Sequence, residues 1–458
     1  MDKRPAEGSL HQLSIDSNAG DGAGVARLDG MVVFVQGGIR GEVCGVRLDK
    51  VGRNAIWGHV EQIRTPSPAR LAPDCPHFGQ CGGCQLRHMD YGEELALKRL
   101  RVEDALRRIG GADLRVEEIF GAPQQERYRN KVQFPTAPGP KIGFYRPRSH
   151  QVIDVNDCLL QPESAARLRR AVRDWMKRCR VPAYDERQRR GLVRHVYVRT
   201  NRQGESLLCL LVNGTKLPQE DALIQALRQA EPRLVGVVLG VNRSHSNVIL
   251  GEDYRTLWGE DALLDTLCGY RFRLSVPSFY QVNAPQAEVL YEKALELAGL
   301  TGTETVLDLY CGIGTISLVM ARRAGQVWGA EAVPQAVADA RENARRNGVE
   351  NAQFLCADAG EAARRLEAEG VRPHVVCVDP PRKGLAEDVV DTIARMGPER
   401  VVYVSCDPGT LGRDVGRFQA RGYLPRRALA VDLFPRTAHV ETVCLFTKSG
   451  GPSGEGPG

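Results

Sequence analysis

From residue 304 onward, short apolar runs alternate with helix-forming stretches, and this pattern constrains the fold more than any other feature of the chain. Strands are predicted at 305–310, 326–331, 353–358, 374–379 and 400–405. Between two of them, 334–347 reads as a helix stopped by Gly348. Such alternation predicts an α/β fold with a doubly wound parallel sheet, because parallel neighbours need crossover helices on the sheet's faces. Two further strand-like runs, 428–434 and 441–448, close this unit.

The chain before residue 304 is organised differently. Short β-like runs at 32–35, 42–48 and 55–63 are punctuated by glycine, which predicts a small barrel, and residues 65–70 read as a linker. Residues 91–110 carry a helical pattern that stops at Gly110-Gly111, and 125–270 mix strands with basic helices. The expected division is a barrel at 5–66, a central domain at 67–270, a catalytic domain at 271–449 and a disordered tail at 450–458.

The 42% hydrophobic and 26% charged residues are those of a soluble globular protein. No apolar run approaches the roughly 20 residues of a membrane span, and no secretory leader is visible, so no membrane association and a cytoplasmic location are expected. The net charge of +6 is unevenly placed: residues 165–202 hold thirteen Lys and Arg against Asp174, Asp185 and Glu186. Such a block reads as a phosphate-tracking surface or as a solvated helix face. Arg127-Tyr128-Arg129-Asn130-Lys131 and Phe144-Tyr145-Arg146 interleave cations with rings, which suits phosphate contact and base stacking.

The first strand of the alternating region runs through Asp308 and Tyr310 into Cys311-Gly312-Ile313-Gly314, then a helix. Glycines there let a ligand approach the backbone, and the helix start offers free N–H groups. A dinucleotide fingerprint would need a third glycine where Ser317 stands. With Asp308, Glu331 at the next strand's end and Asp379 at the fourth's, the set favours S-adenosylmethionine over NAD. Asp379-Pro380-Pro381-Arg382-Lys383-Gly384 and Ser405-Cys406-Asp407-Pro408 end successive strands, so they should meet at one sheet edge. Cys406 there reads either as a nucleophile, its thiol lowered by a cation or helix start, or as a small buried hydrophobe.

These motifs, together with Phe279-Tyr280-Gln281-Val282-Asn283 and His439-Val440-Glu441-Thr442-Val443, resemble the RNA (uracil-5)-methyltransferase family along nearly the whole chain. The resemblance implies a Rossmann-like S-adenosylmethionine-dependent methyltransferase domain, and an N-terminal OB-like RNA-binding barrel of the TRAM type. It implies that Gln281, Tyr310, Glu331 and Asp379 contact S-adenosyl-L-methionine. Cys406 would be the nucleophile and Glu441 the base. Asp407, where many relatives have Asn, and Arg436 in the Phe-Pro-x-Thr run depart from the pattern.

Cys75, Cys81 and Cys84, with distant Cys158, supply four thiolates, enough for an iron–sulfur cluster or a zinc site, with His77 and His88 nearby. The resemblance implies a [4Fe-4S] cluster on those four cysteines in a central α+β domain. Cluster and barrel together imply 23S rRNA as substrate, with no obligate protein partner. The other readings are a transfer-RNA uracil-5 methyltransferase, a cytosine-5 enzyme using related thiolate chemistry, and a non-catalytic RNA-binding assembly factor.

Overall fold

The structure, a computed structural model, describes residues 4–450 except Asn247 and Glu252. Most of the tail expected at 450–458 lies outside the described residues. The chain divides into two compact units, one holding residues up to Glu103 with Phe434–His439, the other Asp104–Leu433 and the residues from Val440 on. Among the described residues, no helix is long and apolar enough to cross a membrane.

In the first unit the glycine-punctuated runs form a six-stranded sheet from Leu10–Ser14 to Ala55–Thr65. Alternate residues such as Val33, Val35, Cys44, Val46 and Ile56 point into one apolar core, as period-two patterning requires. The expected linker at 65–70 is tied down. Arg70 Nε bonds the buried Glu42 carboxylate at 2.5 Å, and Glu42 also accepts the Ile39 and Ser67 N–H groups at 2.9 and 3.2 Å.

The second unit holds two large sheets. The seven-stranded one is built around Val193–Thr200 and Ser206–Val212, which are buried at every position. The helix Glu163–Arg178 packs through Leu168, Val172, Trp175 and Met176, spaced three and four apart so that they share one face. Much of the basic block is consumed in this packing. Arg169 is buried against Asn156 and Asp154, Arg167 pairs with Glu231 at 2.6 Å, and Arg199 donates to Ser278 O at 2.6 Å.

The other sheet has eight strands in the order Ala352–Cys356, Gln326–Glu331, Thr305–Leu309, Val375–Val378, Arg400–Ser405, Glu441–Lys448, Tyr423–Val431 and Glu118–Phe120. Its first five strands are mutually parallel, as the alternation predicts. Glu441–Lys448 then inserts antiparallel between Arg400–Ser405 and Tyr423–Val431. The strand Tyr423–Val431 begins earlier than the expected 428–434, and the three-residue edge strand Glu118–Phe120 was not expected at all.

Candidate active site

Register places the expected site residues along one edge of the eight-stranded sheet. Leu309 pairs with Ala330 and with Val378, and Val378 with Tyr403, so Tyr310, Glu331 and Asp379 follow directly at the carboxyl ends of neighbouring parallel strands. On the antiparallel side Ser405 pairs with Thr442, and extending that ladder by one residue sets Cys406 opposite Glu441. A strand running the other way thus delivers its first residue to the edge where its neighbours end.

The first turn of the edge is shaped by backbone. Tyr310 sits at φ +69°, a region that costs a non-glycine residue about 1–3 kcal/mol and that the surrounding structure must impose. The Tyr310 and Cys311 N–H groups both donate to Ala330 O at 3.0 Å. Gly314 follows at φ +84°, where a Cβ would come within 3.1–3.2 Å of Leu318 and Phe354. Glu331 closes the turn by accepting the Gly312 N–H at 3.2 Å and the Val333 N–H at 2.9 Å.

Behind this turn Asp308 is fully buried. Ser317 Oγ donates to one of its oxygens at 2.5 Å, and the other oxygen has no hydrogen-bond partner. Ser317, which spoils the dinucleotide fingerprint, is thus the donor that holds the carboxyl. Burial, aided by Asp379 and Glu331, pushes Asp308 up to about 7, and burial pushes Asp379 to about 7 as well. The charges of Asp379 and Glu331 disfavour ionisation of Asp308, and a cationic ligand at this edge relieves that repulsion. The sulfonium and ammonium groups of S-adenosylmethionine fit this donor set.

Gln281 is 7% exposed and is fixed through its backbone, whose carbonyl accepts from Asn130 Nδ2 at 2.9 Å. Two residues on, Asn283 caps the helix Ala284–Ala298, and its Nδ2 donates to Leu433 O at 3.1 Å. From that helix Tyr291 accepts a hydrogen bond from Thr315 at 3.3 Å and feels the charge of Asp379.

Cys406 is half-buried between Ser405 and the helix Pro408–Gln419. The expectation of a lowered thiol is not met. Burial first, then Glu441 and Asp379, push Cys406 up to about 12, against the smaller pull of Arg382. Glu441 is 2% exposed, and burial with Asp379 raises it to about 8. Both groups therefore carry their protons near neutral pH in this state.

Asp414 is a site residue that the sequence did not reveal. Fully buried, it accepts the Leu385 N–H and the Tyr403 O–H, each at 2.8 Å, and pairs with Arg413 and Arg417 at 2.9 and 3.1 Å. It thereby fastens the loop after Asp379 to the strand that carries Cys406. Gly384 in this loop stands at φ +71°, and a Cβ there would collide with Arg413 and Asp414 at 2.4 and 2.6 Å.

Both departures from the family pattern have local explanations. Asp407 accepts the Thr410 N–H at 2.9 Å as the cap of its helix, a task Asp performs as well as Asn. Arg436 uses its guanidinium, which lies 3.7 Å from the buried Glu94 carboxylate and 5.8 Å from the ring centre of Tyr91. Of the cation–ring stretches, Arg127 is committed to Asp157 at 2.6 Å, whereas Lys131 lies 5.8 Å from the ring centre of Phe279, which is 62% exposed.

The [4Fe-4S] expectation requires correction. Cys75, Cys81 and Cys84 lie in local turns of the first unit, where Cys81 N–H donates to His77 O at 2.8 Å and Cys81 Sγ accepts from Gly83 at 3.4 Å. Cys158 belongs to the second unit, in a turn where Arg127 holds its carbonyl at 3.0 Å. Among the described residues, no three Cys, His, Asp or Glu side chains gather so as to hold a metal ion. The four cysteines do not fit a cluster, and none enters the mechanism.

The open α/β sheet gathers Tyr310, Glu331, Asp379 and Cys406 at the carboxyl ends of its parallel strands, which is where folds of this Rossmann-like architecture bind their ligands. Residues 206–449 match the family model described as tRNA (Uracil-5-)-methyltransferase. The chain is 41% identical to an uncharacterized RNA methyltransferase of Clostridium tetani, over 96% of this chain and 97% of that one. It is 42% identical to another from Halalkalibacterium halodurans, over 95% and 96%. Among solved structures, the tRNA (uracil-54, C5)-methyltransferase of Pyrococcus abyssi in complex with S-adenosyl-L-homocysteine is 26% identical, with a TM-score of 0.76. That match covers 95% of this chain and all of the other. The chain belongs to the tRNA (uracil-5-)-methyltransferase family and is an S-adenosylmethionine-dependent RNA methyltransferase.

The same match corrects the assignment to 23S rRNA. That assignment rested on the cysteine cluster and the N-terminal barrel as marks of ribosomal enzymes. The cysteines do not gather, and a transfer-RNA enzyme matches the chain across its full length.

Proposed function

We propose that this enzyme methylates C5 of a uracil in transfer RNA, at the position its Pyrococcus relative modifies, uracil 54. The reading is supported by the full-length match to that enzyme. The observation that carries the chemistry is the register setting Cys406 opposite Glu441 beside Asp379.

Uracil C5 is too weak a nucleophile to take a methyl group unaided. Cys406 loses its proton to solvent and its sulfur bonds to C6, which moves the C5–C6 π pair onto C5 as an enolate. S-adenosylmethionine, held by Gln281, Tyr310, Glu331 and Asp379, supplies the methyl group when bound. Glu441 then takes the C5 proton, the C5–C6 double bond re-forms, and the Cys406–C6 bond breaks. Glu441 must enter that step ionised, so positive charge beside Asp379 favours the reactive state of both residues. The target base must leave its stack, at a few kcal/mol, and the exposed Phe279 beside Lys131 offers it a ring to rest on. The N-terminal sheet at 5–66 acts in this reading as a TRAM-type RNA-binding barrel, followed by a central domain at 67–270 and the methyltransferase domain at 271–449.

Transfer of labelled methyl groups to unmodified transfer-RNA transcripts tests the proposal. Incorporation should need Cys406 and disappear when uracil 54 is replaced by cytosine. Labelling that persists in the cytosine variant would refute the position, and labelling of no transcript would refute the substrate.

A further inference from the structure

A cavity of about 1230 Å³ opens beside the seven-stranded sheet, away from the sheet edge just described. Its size exceeds the roughly 300–1,000 Å³ of an ordinary ligand pocket. Strand register gives its place. Lys131 pairs with Arg199 at the end that meets residues 275–283, where Asn130 N–H donates to Val282 O at 2.7 Å. Pro135 pairs with His195, which lines the cavity, and the four steps from Lys131 to Pro135 span about 13 Å.

His195 is 5% exposed, yet neither of its ring nitrogens has a hydrogen-bond partner. Burial holds it down at about 4, so its ring is neutral and offers one donor and one acceptor. A buried polar group left open in this way is costly unless something else completes it. Neighbouring Arg194 is already committed to Asn242 and Ser244 carbonyls at 3.0 and 2.6 Å, and it covers the Tyr184 ring at 4.5 Å. Around the mouth, Arg146, Arg187 and Arg189 are exposed and make no ion pair among the described residues. The acids there are engaged: Glu186 accepts from Tyr145 at 2.9 Å and pairs with His150 at 2.7 Å, and Asp185 accepts the Arg187 N–H at 2.9 Å. Unspent cations at the rim, aromatic walls and an open donor–acceptor pair at depth match a phosphodiester, a base and a base edge.

We propose that this cavity is a second RNA pocket, which takes one unpaired ribonucleotide of the substrate at a fixed distance from the uracil being methylated. Arg146, Arg187 and Arg189 hold its phosphates and His195 reads its base edge. Because the strands 131–137 and 193–200 join the pocket to the 275–283 segment, an occupied pocket fixes where the RNA enters the catalytic edge. The proposal rests on the RNA-methyltransferase reading, and not on the choice of transfer RNA.

Two measurements on the full-length protein test it. The first is ultraviolet crosslinking to a mixed-sequence single-stranded RNA oligonucleotide, mapped by peptide mass spectrometry, which reads the pocket even if transfer RNA proves not to be the substrate. Adducts are expected on peptides spanning 141–151 and 184–195, falling at least tenfold in an Arg187→Ala/Arg189→Ala double variant. Both residues lie on the surface, so folding should be kept, and circular dichroism checks this. The second is the salt dependence of binding to the same oligonucleotide: removing two phosphate contacts should lower the log–log slope by about 1.4. His195→Gln, which keeps a donor and an acceptor, should retain more crosslinking than His195→Leu. Absence of adducts from both peptides would overturn the proposal, as would an unchanged slope in the double variant. Saturation by free AMP without competition from RNA would also overturn it, by assigning the cavity to a mononucleotide.

Discussion

Replacing Glu441 by Gln keeps the shape of a side chain that is 2% exposed and removes both a base and a negative charge. The structure gives two separate consequences. With Cys406 at about 12, roughly three thiols in 10⁵ are ionised at pH 7.5, against roughly one in ten for a free cysteine. Cys406 in the ligand-free protein should therefore be alkylated about three orders of magnitude more slowly than a free thiol. Glu441 itself ionises only above about 8, so its repulsion of the thiolate acts above that pH and not below. In Glu441→Gln, alkylation at pH 9.5 should rise about tenfold over wild type while the rate at pH 6.5 stays unchanged. Peptide-level mass spectrometry of iodoacetamide labelling isolates Cys406 from the other twelve of the thirteen cysteines. During turnover the variant should stop after methyl transfer and accumulate a covalent protein–RNA species, visible on a denaturing gel. Product release at the wild-type rate would refute the base assignment, and identical labelling at both pH values would refute the coupling.

Cys406→Ala should lose methyl transfer by at least four orders of magnitude while still binding S-adenosyl-L-homocysteine, measured by calorimetry. Ser317→Ala leaves a buried Asp308 oxygen without its donor and should cost about 1–3 kcal/mol in urea unfolding, with fluorescence as readout. Asp414→Asn weakens the clamp on residues 379–384 and should raise the KM for S-adenosylmethionine several-fold, with a loss of about 2–3 kcal/mol in stability. Asp308, Asp379 and Glu441 hold protons in the folded state at about 7, 7 and 8, above their ordinary values of 3.8 and 4.5. Their contribution is therefore fully present below pH 4 and is lost as pH rises to 8, so the ligand-free Tm should fall between pH 5 and 8. Asp379→Asn should flatten that slope, and an equally steep fall in the variant would count against it.

The alternating sheet was legible because its strands are continuous apolar runs and its turns carry glycine, so local pattern and tertiary fold agree. Glu118–Phe120 was not, since three residues hold no period and pair with a strand three hundred positions away. Asp414 escaped for a similar reason: Arg413 and Arg417 are its helix neighbours, but Leu385 and Tyr403, which give it its place in the site, meet it only in the folded chain. The motifs around Cys406 and Glu441 signalled pyrimidine chemistry, but that chemistry is the same on any RNA, so they carried no address. Cysteine spacing misled because a C-x5-C-x2-C count constrains the backbone path and not where four thiols point.

The antiparallel insertion of Glu441–Lys448 has a consequence for how the enzyme is made. In the proposed scheme the ligand-contacting residues and Cys406 leave the ribosome first, and Glu441 emerges after all of them. A nascent chain that has reached residue 430 would hold the nucleophile with neither the base nor the neighbouring strand that buries it. An enzyme able to bond to RNA but unable to release it would be hazardous on a polysome. Because the strand that begins with Glu441 also fills the place between Arg400–Ser405 and Tyr423–Val431, the sheet cannot close without it, and the finished catalytic edge never carries the nucleophile without its base.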